Sequence, residues 1–376
     1  MIILAAVLLM VLADCGETRE EEEHFAFLSP DNQTGDAGVD WARGIVNRGL
    51  AAAVGFSVAS DTVADARLAS ERYNRLVYST LTAGEGGEVR FHSAIFDATG
   101  QHFYREYTVS GNILQVINRM AVSINPEPNS LGAKSEEALR KWPVLAGSDI
   151  ATYETKCLEL AEAEPAFGAA LGSCAEQLTA AGRAEALRGL LSRVQPEQSK
   201  AFSPDVLETI GNSFMALKQY SDAAVMFRAG ANAGRTTMKN MVGYSEALSG
   251  RYEAGKQALE EYSRVPGHEQ NALDSLGEIS FFSGKYREAE QYFTASEGKM
   301  LVNRRVEIEP LKVAASRLMS GDVAGANKLA NEQFDKLAKG DPPNVARLKP
   351  LWTSIVNAGS PEDRKRIIEG SLIRRP

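Results

Sequence analysis

The chain has 376 residues, enough for two or three domains, and a 44% hydrophobic composition to fill their cores. Charged residues make up 24% and the net charge is −8, which excludes a partner held by a global basic surface, nucleic acid above all. Three cysteines exclude a disulfide-stapled miniprotein and a four-cysteine zinc site.

The apolar run from Met1 to Ala13 stops short of the roughly 20 residues a membrane-spanning helix needs and matches a signal-peptide hydrophobic region. Leu12-Ala13-Asp14-Cys15 resembles a bacterial lipobox, in which the cysteine is acylated and becomes the first mature residue. Asp14 stands where that pattern has a small residue, and no basic residue precedes Arg19. An ordinary cleaved signal and an uncleaved segment remain the alternatives. The expected arrangement is a signal peptide over 1–14, lipidation at Cys15 and an acidic tether over 15–23. Gly16 after the cysteine is compatible with an outer-membrane lipoprotein on the periplasmic side of the cell envelope.

The next stretch, 24–127, alternates strand and helix patterns. A short apolar run at 24–29 closed by Pro30 predicts a strand, and Trp41, Ile45, Leu50 and Val54 recur at helical spacing up to Gly55. A weaker amphipathic stretch predicts a helix over 61–73. A strand over 75–82 then leads to a hairpin of alternating segments, 89–96 and 102–109, about an Asp97–Gly100 turn, and a helix follows over 113–124. Counting back from that turn places His102 opposite Ile95 rather than His92. These elements imply a mixed sheet covered by helices. Asn32, Thr34, Gly35 and Asp36, then Val89, Ile95, Asp97, Thr99 and Gly100, resemble the motifs of the TolB N-terminal-like domain. That resemblance implies an envelope-associated or multidomain accessory module with no enzymatic site.

A Pro-, Gly- and Ser-containing stretch predicts a linker over 128–148. Beyond it the helical pattern repeats. Gly211, Gly243 and Gly277 sit early in successive first helices, and Tyr220, Tyr252 and Tyr286 open the second ones. Ala223, Gly255 and Ala289 follow, and then Phe227, Leu259 and Phe293. Period and pattern resemble the tetratricopeptide repeat, of roughly 34 residues, in which small residues let paired helices approach and large ones fill the groove. Weaker repeats flank these three. The expected fold class is α+β: a small mixed-sheet α/β domain of TolB N-terminal-like type, then an all-α tetratricopeptide solenoid over 149–376.

Chemistry-bearing patterns are sparse. The four histidines, His24, His92, His102 and His268, show no metal-ligand spacing and are expected at surfaces or edges. Ser296-Glu297-Gly298-Lys299 and the glycine-bearing Gly230–Thr237 stretch lack the companion motifs of an enzyme or a phosphate loop. Neither a metal, a cofactor nor a small-molecule substrate is expected. Cys157 and Cys174 flank a turn near Pro165 at matching distances. They either pair in an oxidising compartment or sit as two small buried core residues. The repeat resemblance implies that first helices line a groove for a protein or peptide, here through Glu208, Asn212, Met215, Asn240, Tyr244, Asp274, Glu278 and Phe281. The expected function is a non-enzymatic, membrane-tethered scaffold. The alternative is a cytoplasmic signalling accessory lacking its output domain.

Overall fold

The structure, a computed structural model, describes residues 23–55, 58–60, 73–143, 149–194, 197, 200–297 and 309–373. The expected signal peptide, Cys15 and most of the acidic tether lie outside the described residues, as does the expected helix over 61–73 except for its last residue, Tyr73. The chain divides into two compact units, Met1–Val144 and Leu145–Pro376.

The first unit is a mixed sheet with helices. β1 (Phe25–Leu28), β2 (Asp31–Asn32), β3 (Val58–Ser60), β4 (Arg75–Ala83), β5 (Val89–Asp97) and β6 (Phe103–Gly111) form it, in the order β3-β1-β4-β5-β6 with β2 beside β4. β1 runs parallel to β3 and β4, whereas β5 is antiparallel to both of its neighbours, β4 and β6. Arg75, Asp97 and Phe103 therefore share one end of the sheet, and Ala83, Val89 and Gly111 the other. Alternation puts Val77, Leu81, Phe91 and Ile95 on one face, where all four are buried.

Helix α1 (Trp41–Val54) buries Ala42, Ile45, Val46, Leu50 and Ala53, a stripe at helical spacing, and stops at Gly55, whose φ of 75° suits a residue without Cβ. Helix α2 (Ile113–Ile124) starts with a capping box between Asn112 and Gln115 and buries Val116, Ile117 and Met120. The two helices approach where a Cβ on Gly49 would stand 2.8 Å from Ile117 Cδ1.

The hairpin register differs from the sequence expectation. Ile95 pairs with Arg105, not His102, and the backbone N–H of Asp97 donates to the carbonyl of His102 at 2.9 Å. A bulge between Ile95 and Phe96 sets Phe103 opposite Phe96 and shifts the rest of β6.

The stretch expected as a linker is, through residue 142, part of the first unit. The Asn129 backbone N–H donates to Ala53 O at 2.7 Å, and Leu131 is buried. A short helix α3 (Glu136–Arg140), capped by Ser135, follows. Its Glu136 carboxylate accepts from Ile113 N–H at 3.0 Å, Arg140 lies 4.0 Å over the Trp41 ring, and Leu139 and Trp142 are buried.

The second unit is a helical repeat solenoid. Its helices are α4 (Ile150–Ala163), α5 (Gly168–Ala180), α6 (Ala184–Leu191), α7 (Pro204–Ala216), α8 (Tyr220–Asn232), α9 (Met238–Leu248) and α10 (Tyr252–Tyr262). They continue through α11 (Glu269–Phe282), α12 (Tyr286–Glu297), α13 (Glu309–Met319), α14 (Val323–Gly340), α15 (Pro342–Val356) and α16 (Pro361–Ser371). Each of α7/α8, α9/α10 and α11/α12 is a packed pair, and α8 packs on α9 as α12 does on α13. Proline at the first helical position starts α7, α15 and α16, where the missing N–H would be unpaired anyway. The repeated glycines are explained by close approach: a Cβ on Gly211 would meet Phe227 at 2.6 Å, and one on Gly277 would meet Phe293 at 2.5 Å. Both rings are fully buried, each contributing about 1.5–3 kcal/mol through the area removed from water. At the C-terminal end, Phe293, Phe334, Trp352, Ile355 and Ile368 form one continuous core that closes the stack.

Candidate partner-binding face

First helices lie against one another in two places, α5 with α7 and α9 with α11. The residues expected to line the groove formed by first helices divide by chemistry. Met215, Tyr244 and Phe281 are buried, at 3%, 3% and 0% exposure, which corrects their assignment to an open lining. The cause is area: each packs into the seam between helices, Tyr244 edge-on to Phe282 at 6.2 Å and Phe281 edge-on to Tyr286 at 5.1 Å.

The polar members remain at or near the surface. Asn212 is exposed on α7. Glu208, one turn earlier, keeps 40% of its side chain exposed and has Arg235 Nη1 at 3.5 Å from Oε2. Partial burial pushes the Glu208 carboxyl up from its ordinary value. Arg235 is shared with Asp205, so it bridges two carboxylates of the first turns of α7. On α9, Asn240 is half-buried, and its Oδ1 atom has no hydrogen-bond partner among the described residues. An acceptor withdrawn from water without a donor costs free energy.

Asp274 and Glu278 do come together, but around a residue the sequence reading missed. Lys312 of α13, 4% exposed, donates from Nζ to Asp274 Oδ1 at 2.6 Å and to Glu278 Oε1 at 3.1 Å. Two carboxylates four residues apart on α11 thus share one ammonium. Burial, reinforced by the charge of Asp274, pushes the Glu278 carboxyl up to about 7, while Lys312 and the Tyr244 hydroxyl pull the other way. A lysine lying 34 and 38 residues from its partners leaves no local trace in sequence. The one available signal was its place inside an otherwise apolar helical stripe.

A second ion cluster, centred on a buried carboxylate, ties the neighbouring pair. Glu246, 4% exposed, accepts from both Arg228 and Arg251. Burial raises its carboxyl, but the two guanidiniums outweigh that and leave the net shift downward. Both clusters tie neighbouring helices of the array together. Cys157 of α4 and Cys174 of α5 are both fully buried, their Cα atoms are 5.8 Å apart, and they are joined as a disulfide.

The histidines sit where weak constraint leaves them. His92 accompanies Thr108 on the exposed side of the hairpin, His102 meets Asp97 at 2.7 Å, and His268 meets the Tyr262 hydroxyl at 2.9 Å. Among the described residues, no three of His, Cys, Asp and Glu are grouped to hold a metal ion, and no helix is long and apolar enough to cross a membrane.

No family model matches the chain, and no curated protein matches it. Among solved structures it is similar to one titled "Functional Characterization of Pseudomonas Aeruginosa pilF", at 13% identity and a TM-score of 0.34, over 53% of this chain and 89% of that one.

Proposed function

We propose that the protein is a non-enzymatic scaffold that captures a protein or peptide along the first helices of a tetratricopeptide-type array. The support for this reading is a first-helix face that keeps polar side chains at or near the surface, with Asn240 half-buried on α9. Glu208 and Asn212 stand on the preceding first helix and add a carboxylate and an amide. Together they suit an extended segment that offers N–H or basic donors, and they disfavour phosphate or nucleic acid.

The second part of the proposal is tethering. Leu12–Cys15 and the glutamates that follow suit a lipid anchor, placing the protein on the periplasmic side of the envelope in the outer membrane. The Cys157–Cys174 bond supports an oxidising compartment over the cytoplasmic signalling alternative. Anchoring would raise the local concentration of the groove at the membrane, and partner choice would rest with the first-helix face.

A photo-crosslinking residue at Asn212 is expected to yield a discrete protein adduct in intact cells, and Asn240→Ala is expected to diminish it. An unchanged adduct would count against this face. Palmitate labelling and membrane fractionation of wild type against Cys15→Ala test the anchor separately.

A further inference from the structure

At the end of the first unit where Glu23 meets the sheet, several aromatic side chains are exposed among the described residues. Glu23, the last residue of the acidic run, is fixed there: Arg75 Nε donates to its carboxylate at 2.9 Å, and Arg105 donates to the other oxygen. Arg75 in turn lies 4.1 Å from the Tyr104 ring centroid. Tyr104 is 50% exposed and Phe103 is 56% exposed, although both belong to a strand. Phe103 continues an edge-to-face ladder with Phe96 at 5.8 Å and Tyr78 at 5.5 Å, and Tyr78 itself is 38% exposed. β6 is an edge strand, so this ladder ends in solvent. The unit's other terminus is at the opposite end of the sheet, where Glu136 meets Ile113 and Arg140 meets Trp41.

We infer that this end of the first unit rests on the lipid headgroup interface, with Phe103 and Tyr104 as its contact residues. The inference rests on the proposed anchor at Cys15. Between Cys15 and Glu23 the chain reaches at most about 25–30 Å, and the aromatic pair lies beside the point where that reach ends. Phe and Tyr are suited to this boundary: an apolar ring desolvates while the hydroxyl stays with water and headgroups. The glutamates of the tether repel anionic lipid, so the matching surface is zwitterionic.

Two measurements, run on the full chain, keep the anchor and the aromatic contact apart. In the acylated protein on vesicles of phosphatidylcholine carrying brominated acyl chains, Phe103→Trp is expected to add a strongly quenched tryptophan signal. Quenching no greater than that of wild type on bound protein would overturn the contact while leaving the anchor standing. In the unacylated Cys15→Ala protein, partition to phosphatidylcholine vesicles is expected to fall about tenfold on adding Phe103→Ser and Tyr104→Ser, the scale set by desolvating their exposed halves. If acylation is absent, this second measurement decides the contact alone, and an unchanged partition overturns it. A change in self-association in place of vesicle binding would assign the surface to a second copy of the chain and overturn the inference too. Circular dichroism of each variant checks that the fold is retained.

Discussion

Gly243 on α9 and Gly255 on α10 meet so closely that a Cβ built on Gly255 would lie 2.4 Å from the Gly243 carbonyl oxygen. The obstacle is backbone, and no side chain can swing away to relieve it. Gly255→Ala is therefore expected to destabilise the second unit by about 3 kcal/mol, the upper part of the overpacking range. Gly370→Ala, in α16 with nothing within 4 Å of the added Cβ, is expected to act in the other direction by about 1 kcal/mol through helix propensity. Helical unfolding followed at 222 nm in urea gives both signs, and a Gly255→Ala protein as stable as wild type would refute the close approach.

The turns between paired helices share a left-handed residue. Gly182, Gly250, Gly284 and Gly321 occupy it with φ between 67° and 100°, but between α7 and α8 the position is Lys218, with φ of 60°. A lysine there bears a steric cost of about 1 kcal/mol that glycine avoids. Lys218→Gly is expected to raise stability by about 0.5–1 kcal/mol, and Gly250→Lys to lower it by a similar amount. The same urea titration reads both, and a loss of stability in Lys218→Gly would show that its side chain makes contacts outweighing the backbone cost.

How far the sequence reaches depends on the range of the force involved. The hairpin was legible because strict alternation over Val89–Asp97 answers to one sheet face. The pairing of Gly211 with Phe227 and of Gly277 with Phe293 was legible because the same steric demand recurs with each repeat. The bulge at Ile95/Phe96 was not, since a turn fixes register only if no extra residue follows it. Residues 129–142 read as a linker because their composition is that of a loop. What holds them is a backbone bond to Ala53 and the burial of Leu139 and Trp142, which composition does not express. At the candidate site the acidic pair was visible, but its shared Lys312 was not, and aromatic positions taken as lining turned inward because apolar area is worth more in the seam.

The Cys157–Cys174 bond closes a loop with a sequence separation of 17 residues. Loop-closure entropy for that length corresponds to about 3 kcal/mol of stability. Cys157→Ser is expected to lower the urea midpoint accordingly, and a reductant is expected to shift wild type but not the variant. Mass spectrometry of protein purified from the envelope, alkylated without reduction, should find neither thiol modified. Two alkylated thiols there would remove the support this bond gives to an oxidising location.

The Lys312 cluster makes stability depend on pH in a direction that can be worked out. Glu278 holds its proton up to about 7 in the folded state, against an ordinary value of 4.5. Between those values the folded protein binds a proton that the unfolded chain has released, so this group's contribution falls as pH rises from 4.5 to 7 and levels off above. The slope is at most about 1.4 kcal/mol per pH unit, and Asp274, Lys312 and Tyr244, the charged and titratable groups facing Glu278, set how much of it appears. Glu278→Gln removes the titration, so the variant is expected to gain on wild type between pH 5 and pH 8 in paired urea titrations. Lys312→Met should do the opposite at every pH above 5, costing about 1–3 kcal/mol by leaving two partly buried carboxylates without their cation. A wild-type-minus-variant difference for Glu278→Gln that stays flat across this range would mean that the carboxyl titrates at its ordinary value, and that Lys312 fully neutralises the pair.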